Sequence, residues 1–216
     1  MVEKEIRMKR PIVLILLAAL ASSVSAGAQT HSTNRGYAIP DNEISVYYGQ
    51  GSYTQLAMAV GGALGTAFTF GAARLEDLSS TGAIGVEYHR YVHRSIAVGG
   101  VLGYEGGTMK FAPMSGTDEN GDPVHDSGAS SGSDNFTFIH FMPSVAFKWF
   151  SLPNVSMYSR VALGAMLGIS GGTSNISFAF QASPFAIDFG GTMIRGFFEA
   201  GFGCQGILTA GLRACF

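Results

Sequence analysis

The stretch VSMYSRVALGAMLGIS, residues 155–170, alternates along its length. Val155, Met157, Val161, Leu163, Leu167 and Ile169 share one face, and Ser156, Tyr158, Arg160, Ala162 and Gly164 share the other. A period of two is the pattern of an extended strand, whose successive side chains point to opposite sides. The stretch holds 16 residues, whereas strands of soluble proteins usually run to about 5–6. A strand that crosses a bilayer needs about 9–11 residues. The face opposite the apolar one is also unlike a soluble surface, because it mixes glycine and alanine with isolated charges. The pattern predicts large apolar side chains turned to lipid and small or charged ones turned to a narrow interior.

Seven further stretches have the same two faces. In EISVYYG, Ile44, Val46 and Tyr48 oppose Glu43, Ser45 and Tyr47. In GAIGVEYHRYV, Ile84, Val86, Tyr88 and Val92 oppose Ala83, Gly85, Glu87, His89 and Tyr91. In SIAVGGVLGYEGGT, Ile96, Val98, Leu102 and Tyr104 oppose Ala97, Gly99, Gly103 and Glu105. In FTFIHFMPSVAFKWF, Ile139, Phe141, Val145, Phe147 and Trp149 oppose His140, Ser144, Ala146 and Lys148. In ISFAFQAS, Ile176, Phe178 and Phe180 oppose Ser177 and Gln181; the phase slips at Pro184, where a bulge is expected, and Phe185, Ile187 and Phe189 then oppose Asp188. In MIRGFFEAGFG, Ile194, Phe198 and Phe202 oppose Arg195, Glu199 and Gly203. In ILTAGLRACF, Leu208, Ala210, Leu212, Ala214 and Phe216 alternate with Thr209, Gly211 and Arg213. Eight strands of this kind predict an all-β fold, an eight-stranded antiparallel up-and-down transmembrane β-barrel over residues 42–216.

The bulk numbers agree. Charged residues make up 13% of the 216 and aromatics 12%, with 30 glycines and 16 phenylalanines. Mean hydropathy is +0.25. Such a chain is too apolar for disorder. Residues 1–28 read as a cleaved signal peptide: a charged MVEKEIRMKR, an apolar PIVLILLAALA of 11 residues, and small-residue cleavage sites after Ala26 and Ala28. Residues 29–41 form a short N-terminal segment. Residues 1–28 hold four of the 13 basic and two of the 15 acidic residues, so the rest carries nine and 13, a net charge of −4. No basic patch exists, which argues against nucleic acid as a partner.

The connections alternate in length, as short periplasmic turns and longer extracellular loops would. Both termini are then periplasmic, with Trp149, Phe150, Tyr91 and Phe216 near that interface. Two segments, 52–79 and 113–135, are expected as outer loops. The first contains LAMAVGGALGTAFTFGAA, 18 residues without a charge, read as a short helix or hairpin packed on the barrel mouth.

The signal peptide, the eight alternating strands and the stretch GFFEAGFGCQGILTAGLRACF resemble the outer-membrane β-barrel domain family of Gram-negative bacteria, OmpA/OmpX-like in architecture. The resemblance covers about residues 42–216. It implies residence in the cell outer membrane, with outer-membrane lipid and lipopolysaccharide as surroundings. It also implies that Leu208, Leu212 and Phe216 match the terminal signal read by the barrel-assembly machinery. Ala214 stands where the family often has an aromatic.

The chemistry-bearing residues fall into few groups. Glu87, Glu105, Glu199, Arg160, Arg195 and Arg213 are all phased inward. An eight-strand barrel leaves an interior that side chains fill, and charges there must pair. They are expected to form a salt-bridged plug. His89, His93, His125 and His140 are candidates for a hydrolase. However, His93 with Ser95 lies in a turn, and His125, Asp126 and Ser127 lie in a loop with no strand to position them. Asp118, Asn120 and Asp122 faintly resemble a calcium loop, but Pro123 stands where glycine is required. Cys204 and Cys215 sit at opposite ends of the last strand, too far apart for a disulfide. No catalytic, cofactor or metal site is expected. The sequence points to a structural or surface-interaction role, with extracellular ligands or a host surface as possible partners through the loops. A small transport or ligand-binding barrel, and a lipid-modifying barrel enzyme, are the alternatives.

Overall fold

The computed structural model describes residues 41–68, 73–117, 123–125 and 132–216. The expected signal peptide and nearly all of the N-terminal segment lie outside the described residues. The elements in chain order are β1 (Asn42–Gln50), α1 (Tyr53–Phe68), β2 (Ala73–Ser80), β3 (Ala83–His93), β4 (Ile96–Thr117), β5 (Pro123–His125), β6 (Gly132–Ser151), β7 (Val155–Ser170), β8 (Thr173–Gly190), β9 (Ile194–Gly203) and β10 (Leu208–Cys215).

Eight of these strands close a ring. Antiparallel pairs run β1–β3, β3–β4, β4–β6, β6–β7, β7–β8, β8–β9, β9–β10 and β10–β1. Following the ladder once around from Met157 of β7, through Ile187, Phe198, Ala210, Tyr48, Ile84, Tyr104 and Ile139, returns to β7 at Leu167. That offset of ten residues accompanies strands tilted by roughly 35–45°. The ring therefore has no unpaired edge where all eight strands are present.

The predicted faces hold strand by strand. Val161, Leu163, Phe178, Phe198 and Leu212 are exposed outside, whereas Val101, Met142, Arg160, Glu199 and Arg213 are buried inside. The phase slip at Pro184 is a bulge: β8 gains a residue against both neighbours, between Tyr158 and Arg160 of β7 and opposite Ala200 to Phe202 of β9. This extra residue lets Asp188 point inward after Ser183 has done so. The β7–β8 turn is Gly171–Gly172, both with positive φ (55° and 78°), as a two-residue type I′ hairpin requires.

The two rims differ. At the lower rim, short turns join β3 to β4, β6 to β7 and β8 to β9, and Asn42 meets Phe216 through paired backbone hydrogen bonds. At the upper rim the wall is uneven. β4, β6, β7 and β8 have 22, 20, 16 and 18 residues, but β1, β9 and β10 have only 9, 10 and 8. The segments expected as outer loops contain regular structure, and the short helix expected in the first of them is α1. Within 52–79 lie α1 and all of β2 but its last residue, and β2 pairs with β4 above β3. Within 113–135 the ladder of β4 continues to Thr117 against β5, and β6 begins at Gly132. The polar composition there hid the pairing, because backbone groups carry a ladder whatever the side chains are.

Candidate functional site

The barrel interior is the candidate site, and Arg160 is its centre. β7 phases Arg160 inward between two carboxylates supplied by β3 and β9. Arg160 Nη1 lies 2.7 Å from Glu87 Oε1, an ion pair whose alignment falls short of a hydrogen bond. Its Nη2 donates to Glu199 and, at 2.7 Å, to Gln205 Oε1. Gln205 belongs to the β9–β10 turn, which dips into the lumen; its Nε2 donates to Glu87 Oε1 at 2.6 Å and its backbone N–H to Gln181 Oε1 at 2.9 Å. One amide thus closes the triangle of one cation and two anions. All of these side chains are buried, where an unpaired charge costs several kcal/mol.

Tyr158 links this cluster to the next. Its hydroxyl donates to Glu199 Oε1 at 2.7 Å and accepts from Arg213 Nη2 at 3.0 Å. The Arg213 guanidinium lies 5.0 Å from the Tyr158 ring centroid and 4.9 Å from that of Phe197, within cation–π range. Arg213 Nη1 reaches Glu43 Oε2 at 3.3 Å and Asp188 Oδ2 at 3.5 Å. Asp188 Oδ1 in turn pairs with Arg195 Nη2 at 2.7 Å. Glu43 also faces Lys148 at 3.8 Å and accepts from the Tyr91 hydroxyl at 2.9 Å.

Five of the six predicted lumen charges enter this chain of pairs. Glu105 does not. It is buried at the upper end of the lumen, and its carboxylate accepts hydroxyl bonds instead. Ser52 Oγ donates at 2.8–3.0 Å, Thr54 Oγ1 at 2.6 Å and Ser80 Oγ at 3.0 Å. Ser52 also caps α1, since its Oγ accepts from the Gln55 N–H at 3.2 Å, while the Gln55 side chain accepts from Gly51 N–H at 3.1 Å. Glu105 thereby pins the first turn of the helix, whose N-terminal end favours a negative charge.

Asp188, Glu43 and Lys148 complete the network in place of Glu105. All three stood on the inward face of their alternating stretches, so the phase itself was the signal for them. For Gln205 the sequence offered only a short glycine-flanked turn.

The histidines separate. His89 Nε2 lies 2.8 Å from Ser144 Oγ, and His140 Nε2 lies 3.0 Å from the Tyr47 hydroxyl. A Cβ at Gly103 would sit 2.2 Å from that imidazole and that hydroxyl, so glycine makes room for the pair. Both pairs are buried. His93, expected in a turn, is the exposed last residue of β3. His125 falls in β5, whereas Asp126, Ser127, Asp118, Asn120 and Asp122 lie outside the described residues. A Ser–His contact is a component of nucleophilic catalysis, but the adjoining cavity, lined by Glu43, His89, Tyr91, Lys148, Tyr158 and Arg213, measures about 10 Å³. That is room for a single water, not for a substrate.

Cys204 and Cys215 are both free and buried. Burial pushes the Cys204 thiol, in the upper turn, above its usual range, so it is a packing group rather than a nucleophile. Burial likewise pushes Tyr53 up to about 12. Among the described residues no group of three or more His, Cys, Asp or Glu side chains is placed to hold a metal.

No family model, curated protein or solved structure matches the chain.

Proposed function

We propose that this protein is an outer-membrane β-barrel of a Gram-negative cell with a structural or surface-interaction role, its lumen plugged by ion pairs. The observation that carries the reading is the inversion of the barrel. Its outside bears Leu163, Phe178, Phe185, Phe189, Phe198 and Leu212, all exposed, while three arginines, a lysine and five carboxylates are buried within. Water would favour the opposite arrangement; lipid favours this one. No helix of the described residues is long and apolar enough to cross a membrane, so the strands are the elements that would do so.

On this reading the surroundings are outer-membrane lipid and lipopolysaccharide, the lower rim with its short turns is periplasmic, and Leu208, Leu212 and Phe216 serve recognition by the assembly machinery. The upper segments 52–79 and 113–135 are the surface offered to extracellular partners. The interior argues for a plug rather than a passage or an active site, because its charges are paired and the cavity beside them admits one water.

The test has two parts. Membrane-extracted protein should migrate anomalously on a gel until boiled, as a folded barrel in detergent does. The same protein in planar bilayers should give no steady conductance. A mobility unaffected by heating would remove the barrel reading, and stable channels of nanosiemens scale would remove the plug.

A further inference from the structure

The helix α1 is out of place for a surface loop. Its sequence, YTQLAMAVGGALGTAF, contains no charged residue. A helix that is apolar all round is ordinarily buried, in a protein core or in a membrane. Yet the strand against which α1 chiefly packs is the short upper strand β2, and Leu56 and Val60 are 48% and 49% exposed. At Leu56 and Val60 the described barrel residues leave these apolar side chains half uncovered. Sixteen residues at about 1.5 Å each give a length of about 24 Å, short of a hydrocarbon core of about 30 Å. The helix is therefore suited to lie within one leaflet, not to span both.

Its attachment point leads to the same surroundings. β9 ends at Gly203, opposite Gln181, so residues Thr173–Phe180 of β8 have only β7 as a strand neighbour among the described residues. An open strand edge in contact with lipid is strongly disfavoured, because its backbone groups have no water to bond. Two carbonyls on that edge are capped. Cys204 N–H donates to Phe180 O at 2.8 Å, and the Tyr53 hydroxyl, from the first turn of α1, donates to Phe178 O at 2.9 Å. The Tyr53 ring stacks on Phe180 at 5.5 Å, and Phe180 in turn meets Phe178 and Phe202. Phe178 and Phe202 are exposed members of the outer apolar belt, so the start of α1 bridges the rim: Thr54 reaches inward to Glu105, while the Tyr53 ring is continuous with the belt.

We propose that α1 lies among the acyl chains of the outer leaflet, stapled by Tyr53 to the belt where β8 outgrows β9, and so covers that stretch of wall with an uncharged helix. The inference rests on the membrane reading above, and the experiment separates the two. Trp149 is the single tryptophan and is exposed on the lower part of the wall. In vesicles whose phosphatidylcholine carries dibrominated acyl chains, wild-type Trp149 should lose most of its emission if the barrel is inserted. In a Trp149→Phe background, Leu56→Trp and, separately, Val60→Trp should be quenched to a similar extent and should be shielded from aqueous acrylamide. Both positions are about half exposed, and heat-modifiable mobility checks that each variant is folded. Quenching of Trp149 with acrylamide-accessible, unquenched tryptophans at 56 and 60 would overturn this proposal and leave the barrel standing. So would unquenched tryptophans at 56 and 60 shielded by a second protein. Absence of quenching at all three positions would defeat the membrane reading, and this inference with it.

Discussion

Two parts of the lumen handle buried carboxylates differently. In the middle and lower lumen, Glu43, Glu87, Asp188 and Glu199 face Lys148, Arg160, Arg195 and Arg213. At the top, the partners of Glu105 among the described residues are hydroxyls, from Ser52, Thr54 and Ser80. The lower region ties strands that are already locked in a closed ladder, so its ion pairs fill space and fix the interior. The upper region ties a helix to a barrel, and its hydroxyl donors come largely from the segment it holds. A cation is therefore expected to matter for the whole barrel, and Glu105 for one element of it.

The largest effect should come from Arg160→Ala, which leaves Glu87 and Glu199 buried without their cation. We expect a loss of roughly 3–5 kcal/mol, read from the urea midpoint of the refolded barrel in lipid vesicles. Replacing all three together, with Arg160→Met, Glu87→Gln and Glu199→Gln, should recover most of it. Failure to recover would show that the triad does more than neutralise itself. Next is the neighbouring residue on the opposite face. If the barrel is inserted as proposed, Val161→Arg places a charge against lipid and should cost about 2–4 kcal/mol near the bilayer midplane by the same measurement; a neutral outcome would place that face in water.

The upper region should respond less. Glu105→Ala removes the acceptor of three hydroxyls and should cost about 1–3 kcal/mol. Its signature should be local: faster amide hydrogen exchange at the start of α1, with the ladder between β7 and β8 unchanged. Exchange that rises equally everywhere would erase the distinction between the two regions. The smallest effect belongs to Tyr53→Phe, which keeps the ring stack and loses one hydroxyl bond. It should cost about 0.5–1.5 kcal/mol, with exchange enhanced near Phe178.

The barrel was legible in the sequence wherever one face was apolar. Period-two alternation set the phase of all eight strands, and the slip at Pro184 marked the bulge because the phase reverses across it. The upper extensions were not legible. Residues 115–117 and 132–135 carry no large apolar side chain, so alternation carried no signal, and their pairing follows from backbone groups and from the strands below them. The inner charges were legible as inward residues but not as pairs. Glu105 shares a face with Gly99 and Gly103, and only the return of Ser52 and Thr54 over the rim shows what satisfies it. A signal for that return did exist, since Ser52-Tyr53-Thr54-Gln55 before an apolar run is the pattern of a capping box. Gln205 had no such mark, as a turn residue reaches a lumen only through the curvature of the whole wall.

The central claim is that the apolar outer face of the strands meets lipid while the inner face is packed with paired charges. A spin-label scan along β7 tests it most directly. Single cysteines would be placed at residues 159, 161, 162, 163 and 165 in a Cys204→Ser, Cys215→Ser background and examined in vesicles. The account predicts alternation with a period of two, with Val161 and Leu163 open to oxygen and closed to a water-soluble nickel chelate, and Ala162 closed to both. Nickel access at Val161 and Leu163 as great as that of an exposed loop would contradict it, because those side chains would then face water.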